Sequence, residues 1–478
     1  MKATAMAPWL VGRALANVEM PSSEQPWSVV GDLGSDGVAR LAVGGMGEGT
    51  LTVEWSTVLG RKLSGRSVGD KATAATDFTA QATLKNLPSD SEVLYKARVG
   101  AKTVYGRFRT APSSTDTPVR LVWGGDVVGQ GWGIDPARGG MLTFASMLKE
   151  NPHFFLHSGD SIYADVPVSP IKKMDNGETW HNLTIPEKRS PAATLKDFHG
   201  NYRYNFLDEH YRKFFAQVPV IVQWDDHEVK NNWSPAEHAD LADPGRQAFR
   251  NYWPVRDGRS EPLYRKLSFG PLVDVFVLDL RDYRAPNSDN DQSKAGPETL
   301  MLGPEQVAWF KEAMAESRAV WKIVGGEMPL ATYTPEWGLD SWANGKAEVL
   351  GREHELADIL SFFKRKKIEN VVWLSADVHY AMAIEYLPEK AAFKDFQPFW
   401  EFIAGPLHAG TFSPQGDLDP TFGPVEHFCA VPRDLPPNRP PSDDLQFYGK
   451  IEAGLDQLAV SLHQRQGKEI YKVVIPAS

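Results

Sequence analysis

One cysteine, Cys429, is all this chain of 478 residues has, so no intrachain disulfide can brace it and the thiol is expected to be packed and buried. Positive charge is also in short supply. Lys and Arg number 51 against 61 Asp and Glu, a net charge of −10, and no basic run exceeds Lys364–Lys367, which reads as a solvated helix end. Such a surface repels nucleic acid and anionic membranes, so no nucleic-acid-binding patch is expected. No apolar run is long enough to span a bilayer, and no internal repeat is visible. Residues 1–10 lack a twin-arginine pair, a sustained apolar core and a cleavage box. The chain as written is therefore expected in the cytoplasm; a periplasmic or secreted form is the alternative if a leader has been removed.

A chain of this length calls for two domains. After an N-terminal segment, 1–20, residues 21–112 alternate apolar and polar positions in short bursts (Val38–Val43, Gly49–Trp55, Phe78–Leu84, Val93–Val99) separated by Gly, Ser and Asp. That rhythm predicts an antiparallel immunoglobulin- or fibronectin-like β-sandwich. Leu84–Pro88 followed by Tyr95 predicts a corner in which the Tyr hydroxyl ties its strand to the preceding turn. Ala111–Pro118 reads as a linker.

From Val119 to the end, 119–478, strands alternate with amphipathic helices, which predicts an α/β sandwich of sheets flanked by helices. Met141–Leu148 puts Leu142, Phe144, Ala145 and Leu148 on one face, and Glu305–Ser317 does the same with Val307, Trp309, Phe310 and Met314. Ser169–Asp197, polar and proline-containing, reads as an insertion at the mouth of a site. Leu458–Leu462 and Ile470–Ile475 predict a closing hairpin.

Four strand-like runs end in polar clusters: Val119–Trp123 before Asp126, His153–His157 before Asp160 and Tyr163, Val218–Trp224 before Asp225-Asp226-His227-Glu228, and Val371–Leu374 before Asp377-Val378-His379. A single Asp after a strand is ordinarily a cap or a turn residue. Four such clusters on one sheet edge would instead gather carboxylates, a phenol and imidazoles suited to a pair of hard or borderline cations. Two ions close together need a bridging ligand, and Asp160 is the best candidate. A phenolate ligand must lose a proton with a pKa of about 10, so Tyr163 points to Fe³⁺. Asp377-x-His379 would point two ligands the same way along an extended segment. Asp226 would bind the second ion, His227 would face the phosphate as donor or acid, and Glu228 would orient His227. Asn231 and Asn232 are alternative ligands, and Asp225 is assigned to structure. Arg281 and Arg284 could clamp a phosphate oxygen or form ion pairs with Asp279 or Asp282, and His408 could face the site as a proton donor. His153 and His157 read as packing residues or supports. Many tryptophans adjoin these motifs (Trp123, Trp132, Trp224, Trp233, Trp373, Trp400), either walling a site or filling a core.

From Val119 to about Pro424 the sequence resembles the PhoD-type alkaline phosphatase and phosphodiesterase family of metallophosphoesterases. The motifs that carry the resemblance are Gly159–Asp165, Trp224–Trp233, Leu278–Arg284, Ser375–Tyr380 and Trp400–Phe412, and the preceding sandwich looks like that family's N-terminal domain. The resemblance implies hydrolysis of small-molecule phosphate esters at an Fe³⁺ site shared with Ca²⁺; Zn²⁺, Mn²⁺ or Mg²⁺ are alternatives for the divalent ion. Fe³⁺ would be held by Asp126, Asp160, Tyr163 and His379, and the divalent ion by Asp160, Asp226 and Asp377. Acidified water would attack phosphorus while His227 donates a proton. The family's characterised branch has a Cys where this chain has Asp126, so the iron site would be richer in oxygen. Other expectations from the same residues are a metallohydrolase of another ester or amide, and a Ca²⁺-stabilised binding protein. The binding protein would leave Tyr163 and His379 without a role.

Overall fold

In the computed structural model the described residues are 25–58, 63–256 and 262–478, and the N-terminal segment 1–20 lies outside them. Seven strands come first: β1 (Trp27–Gly31), β2 (Ala39–Gly44), β3 (Gly49–Thr57), β4 (Ser64–Ala72), β5 (Ala80–Leu84), β6 (Glu92–Val99) and β7 (Lys102–Arg109). Alternation decides their faces: Leu51, Val53 and Trp55 of β3 and Val93, Tyr95, Ala97 and Val99 of β6 are buried, with half-buried or exposed residues between them. The antiparallel sheet β4-β3-β6-β7 packs on β1-β2-β5 through a shared core that includes Leu41, Val43, Val53 and Val93. This is the expected sandwich.

The α/β part follows with β8 (Val119–Gly124), α1 (Leu142–Lys149), β9 (Phe154–Ser158), β10 (Ile171–Lys173), β11 (Thr179–His181), α2 (Leu195–Asn205), α3 (Glu209–Phe215), β12 (Val220–Gln223) and α4 (Pro235–Tyr252). Next come β13 (Arg265–Phe269), β14 (Val273–Val277), α5 (Gly303–Glu316), β15 (Trp321–Gly325), α6 (Glu353–Lys366), β16 (Val371–Ser375), β17 (Met382–Tyr386), β18 (Phe399–Ile403), β19 (Pro424–Cys429), β20 (Phe447–Ala453), β21 (Gln457–Gln464) and β22 (Glu469–Pro476). Two large sheets result, ordered β22-β21-β20-β8-β9-β12-β1-β2-β5 and β13-β14-β15-β16-β18-β17-β19. Their facing sides share one core, where Trp123 meets Phe402 edge-on at 6.4 Å, and Gln223 reaches across to donate to the Gly325 carbonyl at 2.8 Å. Phe144 of α1, Phe214 of α3 and Trp253 after α4 pack with Phe155 on the outer face of the first sheet. On the second sheet, Phe310 of α5 meets Phe363 of α6 at 5.5 Å and Trp373 of β16 at 6.1 Å. β21 and β22 form the expected closing hairpin.

Several local expectations are corrected. One sandwich sheet does not stop at the linker: β1 pairs in parallel with β12, Gly31 opposite Val220, so the sheet runs on into the α/β part. An open strand edge carries unpaired backbone groups, and β12 covers the C-terminal end of β1, where the Asp32 amide donates to the Val220 carbonyl at 3.0 Å. The Tyr95 hydroxyl ties no local corner; it donates to the carbonyl of Ala216, just past α3, at 3.1 Å. Helix α1 buries Thr143, Phe144, Ser146 and Met147, not Leu142, Ala145 and Leu148, because the Thr143 hydroxyl donates to the Leu407 carbonyl at 2.7 Å and turns the helix toward that loop. In α5 Trp309 is only half-buried. Segment Ser169–Asp197 is no plain loop, since it carries the β10–β11 hairpin. Its Lys172 ammonium bonds the Gln130 carbonyl and lies over the Trp132 ring.

Candidate metal centre and active-site cleft

The chain leaves β8, β9 and β16 in sharp turns, and these turns bring the candidate ligands together. Asp126 (φ 68°), Asp160 (φ 50°), Asp377 (φ 64°) and His379 (φ 62°) all have left-handed backbone, a conformation that non-glycine residues seldom adopt and that concentrates at functional sites. The turns brace one another. The Val127 amide donates to the Asp160 carbonyl at 2.9 Å, and the Leu407 and His408 amides donate to the carbonyls of Gly125 (2.9 Å) and Asp126 (3.0 Å). Gly159, at φ +82°, abuts Asp225 so closely that a Cβ would lie 2.5 Å from the Asp225 Cβ, and a Cβ on Gly405 would collide with Asp126 Oδ2.

Three overlapping groups of donor atoms follow, each within 4.8 Å: Asp126, Asp160 and His379; Asp160, Asp226 and His227; and Asp225, Asp226 and Asp377. Asp160 belongs to the first two of them and Asp226 to the last two. Tyr163 joins the first through its hydroxyl, 2.7 Å from His379 Nε2. His379 Nδ1 donates to the Gly410 carbonyl at 2.5 Å, which fixes the tautomer and leaves the Nε2 lone pair directed at the cluster.

Unsatisfied atoms show that this chemistry suits cations. Asp126 is fully buried, yet neither carboxylate oxygen makes a hydrogen bond of ordinary geometry, and Asp226 Oδ1 and Asp225 Oδ2 are likewise unpartnered. Burial raises the Asp126 pKa well above the carboxylate range. Asp225 and Asp226 raise it further, and His227 and the Asp377 amide only partly offset them. Asp160 and Asp377 are raised in the same way, by burial and then by neighbouring carboxylates. Tyr163 is pushed well above 10 by burial and by Asp160 and Asp126. A cluster of anions that cannot all ionise unaided is a site for positive charge.

His227 has a different environment. Its Nδ1 lies 2.6 Å from Asp165 Oδ1, and Asp165 Oδ2 accepts the Asn231 amide at 2.8 Å. Burial lowers the His227 pKa, but the nearby charges of Asp165 and Asp226 outweigh it and bring the imidazole to about 9. The ring packs at a tilt against Tyr163, centroids 4.2 Å apart, and the Tyr163 carbonyl accepts from the fully buried Lys188 ammonium at 2.6 Å.

The centre opens into a cleft of about 480 Å³ whose lining includes Gln130, Asp160, Asp226, His227, Asn231, Asn232, Asp377 and His379, with Glu336, Trp337 and Phe412 at its side. Several expectations are overturned here. Glu228 does not touch His227; its carboxylate accepts from the Ser161 amide (2.6 Å) and the Asp225 amide (2.8 Å), and Asp165 orients the imidazole. Asp377 and His379 are not two ligands of one extended segment, since the left-handed turns send them to different ends of the cluster. Arg281 and Arg284 do not line the cleft. Arg281 Nε pairs with Asp225 at 2.6 Å and its Nη1 with Asp340 at 2.7 Å, while Arg284 pairs with the same Asp340. Nor does His408, whose Nε2 lies 3.0 Å from the Gly133 carbonyl and whose ring packs on Trp180. Asp225, assigned to structure, takes part in a donor group as well as in its ion pair. Segment Ser169–Asp197 contributes no residue to the cleft lining. Trp123, Trp224, Trp233 and Trp373 fill the core, and the tryptophan at the cleft is Trp337. His157 is fully buried beside Phe155 and Trp253, as a packing residue. Cys429 is only half-buried, on β19. Asp165 was within sight, because it closes the Gly159–Asp165 motif; Lys188 and Trp337 carry no local signal.

Among the described residues no helix is long and apolar enough to cross a membrane. Residues 121–461 match the family model described as PhoD-like phosphatase. Alkaline phosphatase D of Bacillus subtilis (strain 168) is 28% identical over 271 residues, which covers 50% of this chain and 43% of that protein, so the chain matches less than half of that relative's length. The solved structure of PhoD superposes with a TM-score of 0.69 at 19% identity, covering 96% of this chain and 93% of that one. Purple acid phosphatase PPD1 from yellow lupin (Lupinus luteus) seeds superposes with 0.58 at 13% identity, covering 94% and 74%. These two likenesses concern the fold, a β-rich N-terminal region followed by a two-sheet α/β body.

Proposed function

Because the chain belongs to the PhoD-like phosphatase family, we propose that its cleft hydrolyses phosphate esters, monoesters or diesters, with two metal ions as cofactors. The observation that carries this reading is the chain of three overlapping donor groups, the first two sharing Asp160 and the last two sharing Asp226. Asp126, Asp160, Tyr163 and His379 would hold Fe³⁺, the ion acidic enough to displace a phenolic proton. Asp160, Asp226 and Asp377 would hold a divalent ion; Ca²⁺ suits their all-oxygen donors, and Zn²⁺, Mn²⁺ or Mg²⁺ are alternatives. When bound, such ions acidify water and offset the charge that builds on the phosphoryl oxygens.

The chain's own residues supply the rest. His227 presents Nε2 to the cleft with Nδ1 fixed by Asp165, so its proton can go to a phosphoryl oxygen or to the departing alkoxide. The Asp165 carboxylate on Nδ1 favours the charged form of that imidazole. The side chain of Asn231, which lines the cleft, can donate to the ester. Hydrolysis breaks the bond between phosphorus and the ester oxygen, water provides the new oxygen, and His227 returns a proton to the alcohol.

Elemental analysis of protein purified without added metal, followed by a panel of phosphate mono- and diesters, tests the reading. Iron together with a divalent ion, and turnover of at least one ester class, is the expected result. Calcium alone with no turnover of any ester would overturn it in favour of a binding protein.

A further inference from the structure

The walls of the cleft differ sharply from its floor. Trp337 and Phe412 meet edge-on, ring centroids 5.8 Å apart, and Phe412 packs edge-on to His379 at 5.5 Å. Both are half-buried and line the cleft. Both are also tied to the centre: the Asn232 side chain donates to the Trp337 carbonyl at 2.5 Å, and the Phe412 amide donates to the His379 carbonyl at 3.3 Å. The aromatic surface therefore stands at a fixed offset from the donor groups. Beside it is the exposed carboxylate of Glu336, and among the described residues no Lys or Arg lines the cleft.

A phosphate ester seated over the floor has to direct its alcohol portion somewhere. An aromatic wall rewards a planar, apolar group through stacking and edge contacts. An exposed carboxylate beside the aromatic wall, with no Lys or Arg there among the described residues to offset it, disfavours a second negative charge on the alcohol portion. Resting on the phosphoesterase reading above, we infer that Trp337 and Phe412 form the leaving-group subsite and select esters of planar, uncharged alcohols such as phenols, while Glu336 discriminates against alcohols carrying a further anion.

The test compares a phenyl phosphate ester with a fluoroalkyl phosphate ester of matched leaving-group acidity, so that chemistry is equal and only the contact differs. In Trp337→Ala and Phe412→Ala the aryl-to-fluoroalkyl ratio of kcat/KM should fall about 3- to 10-fold, the scale of one aromatic contact. Trp337→Phe, which keeps a ring, should hold the ratio within about twofold. Glu336→Gln should raise kcat/KM for a carboxyphenyl ester relative to the phenyl ester by about 3-fold or more. Wild-type protein that turns over neither ester overturns the phosphoesterase reading itself. Turnover of both esters with an unchanged ratio in the two alanine variants overturns the aromatic subsite, and an unchanged carboxyphenyl preference in Glu336→Gln overturns the role of Glu336.

Discussion

Replacing Asp126 by Asn should shift stability in opposite directions depending on whether metal is present. Asn is chosen because it tolerates the left-handed backbone of this position, φ 68°, and nearly matches Asp in shape. In the metal-free fold the Asp126 carboxyl is fully buried, unpartnered and beside the Asp225 and Asp226 carboxylates, which holds its pKa well above 3.8. A raised folded pKa gives stability that is fully present below the unfolded value and lost as pH rises through the folded one. As pH rises above the unfolded value the metal-free wild type progressively loses that contribution, whereas Asn carries no charge to bury. Relief of one uncompensated buried carboxylate is on the order of 1–3 kcal/mol. Metal reverses the balance. Ions at about a hundred times their Kd stabilise the fold by ~2.7 kcal/mol, and a variant missing one ligand forfeits much of this. With an unfolding entropy of about 2.1 cal/mol/K per residue over a chain of this length, 1 kcal/mol corresponds to roughly 1 °C. After reduction and chelation at pH 8, Asp126→Asn should melt about 1–3 °C above wild type; with metals restored it should melt below wild type by a similar amount. A variant less stable than wild type in both states would refute the view that Asp126 is an anion held ready for a cation.

Asp165→Asn should leave metal content unchanged and lower kcat by about 10- to 100-fold, because the His227 imidazole loses its charged support; loss of metal would move Asp165 into the ligand set. Gly405→Ala places a methyl group against Asp126 Oδ2 and should weaken metal binding about 10-fold or more by titration, whereas wild-type affinity would mean that the Asp126 carboxylate is free to move aside. A tyrosinate on ferric iron absorbs visible light, so concentrated wild-type protein should be coloured and Tyr163→Phe colourless; a colourless, iron-replete wild type would remove Tyr163 from the ligands. Burial depresses the His157 pKa to about 3, so its contribution to stability is present above about 6.5 and lost as pH falls from there toward 3. His157→Phe should accordingly flatten the loss of stability on acidification by up to ~1.4 kcal/mol per pH unit, measured by denaturant melts from pH 7 to pH 4, and parallel curves for the two proteins would refute it.

Sequence alone determined what is local. An apolar run that ends in a polar cluster specifies a buried strand and the turn that follows it, so Asp126, Asp160, Asp226 and Asp377 could be gathered at one centre without coordinates. Alternation gave the sandwich strands, and 3.6-residue periodicity gave α1 and α5, although the buried face of α1 was settled by the reach of Thr143 to Leu407. Tertiary structure decided the partners. Glu228 is next to His227 in the chain, yet it turns to the Ser161 and Asp225 amides, while Asp165, 62 residues before His227, takes the imidazole. Arg281 and Arg284 follow the core strand β14 and are buried against Asp340, away from the cleft lining. Trp337 stands at the cleft with its carbonyl held by the Asn232 side chain, and β1 pairs with β12, almost two hundred residues later in the chain. The reason is common to all of these. Backbone conformation responds to neighbours in sequence, whereas a buried charge, a ring or an open strand edge is satisfied by whatever group the finished fold brings within a few ångströms.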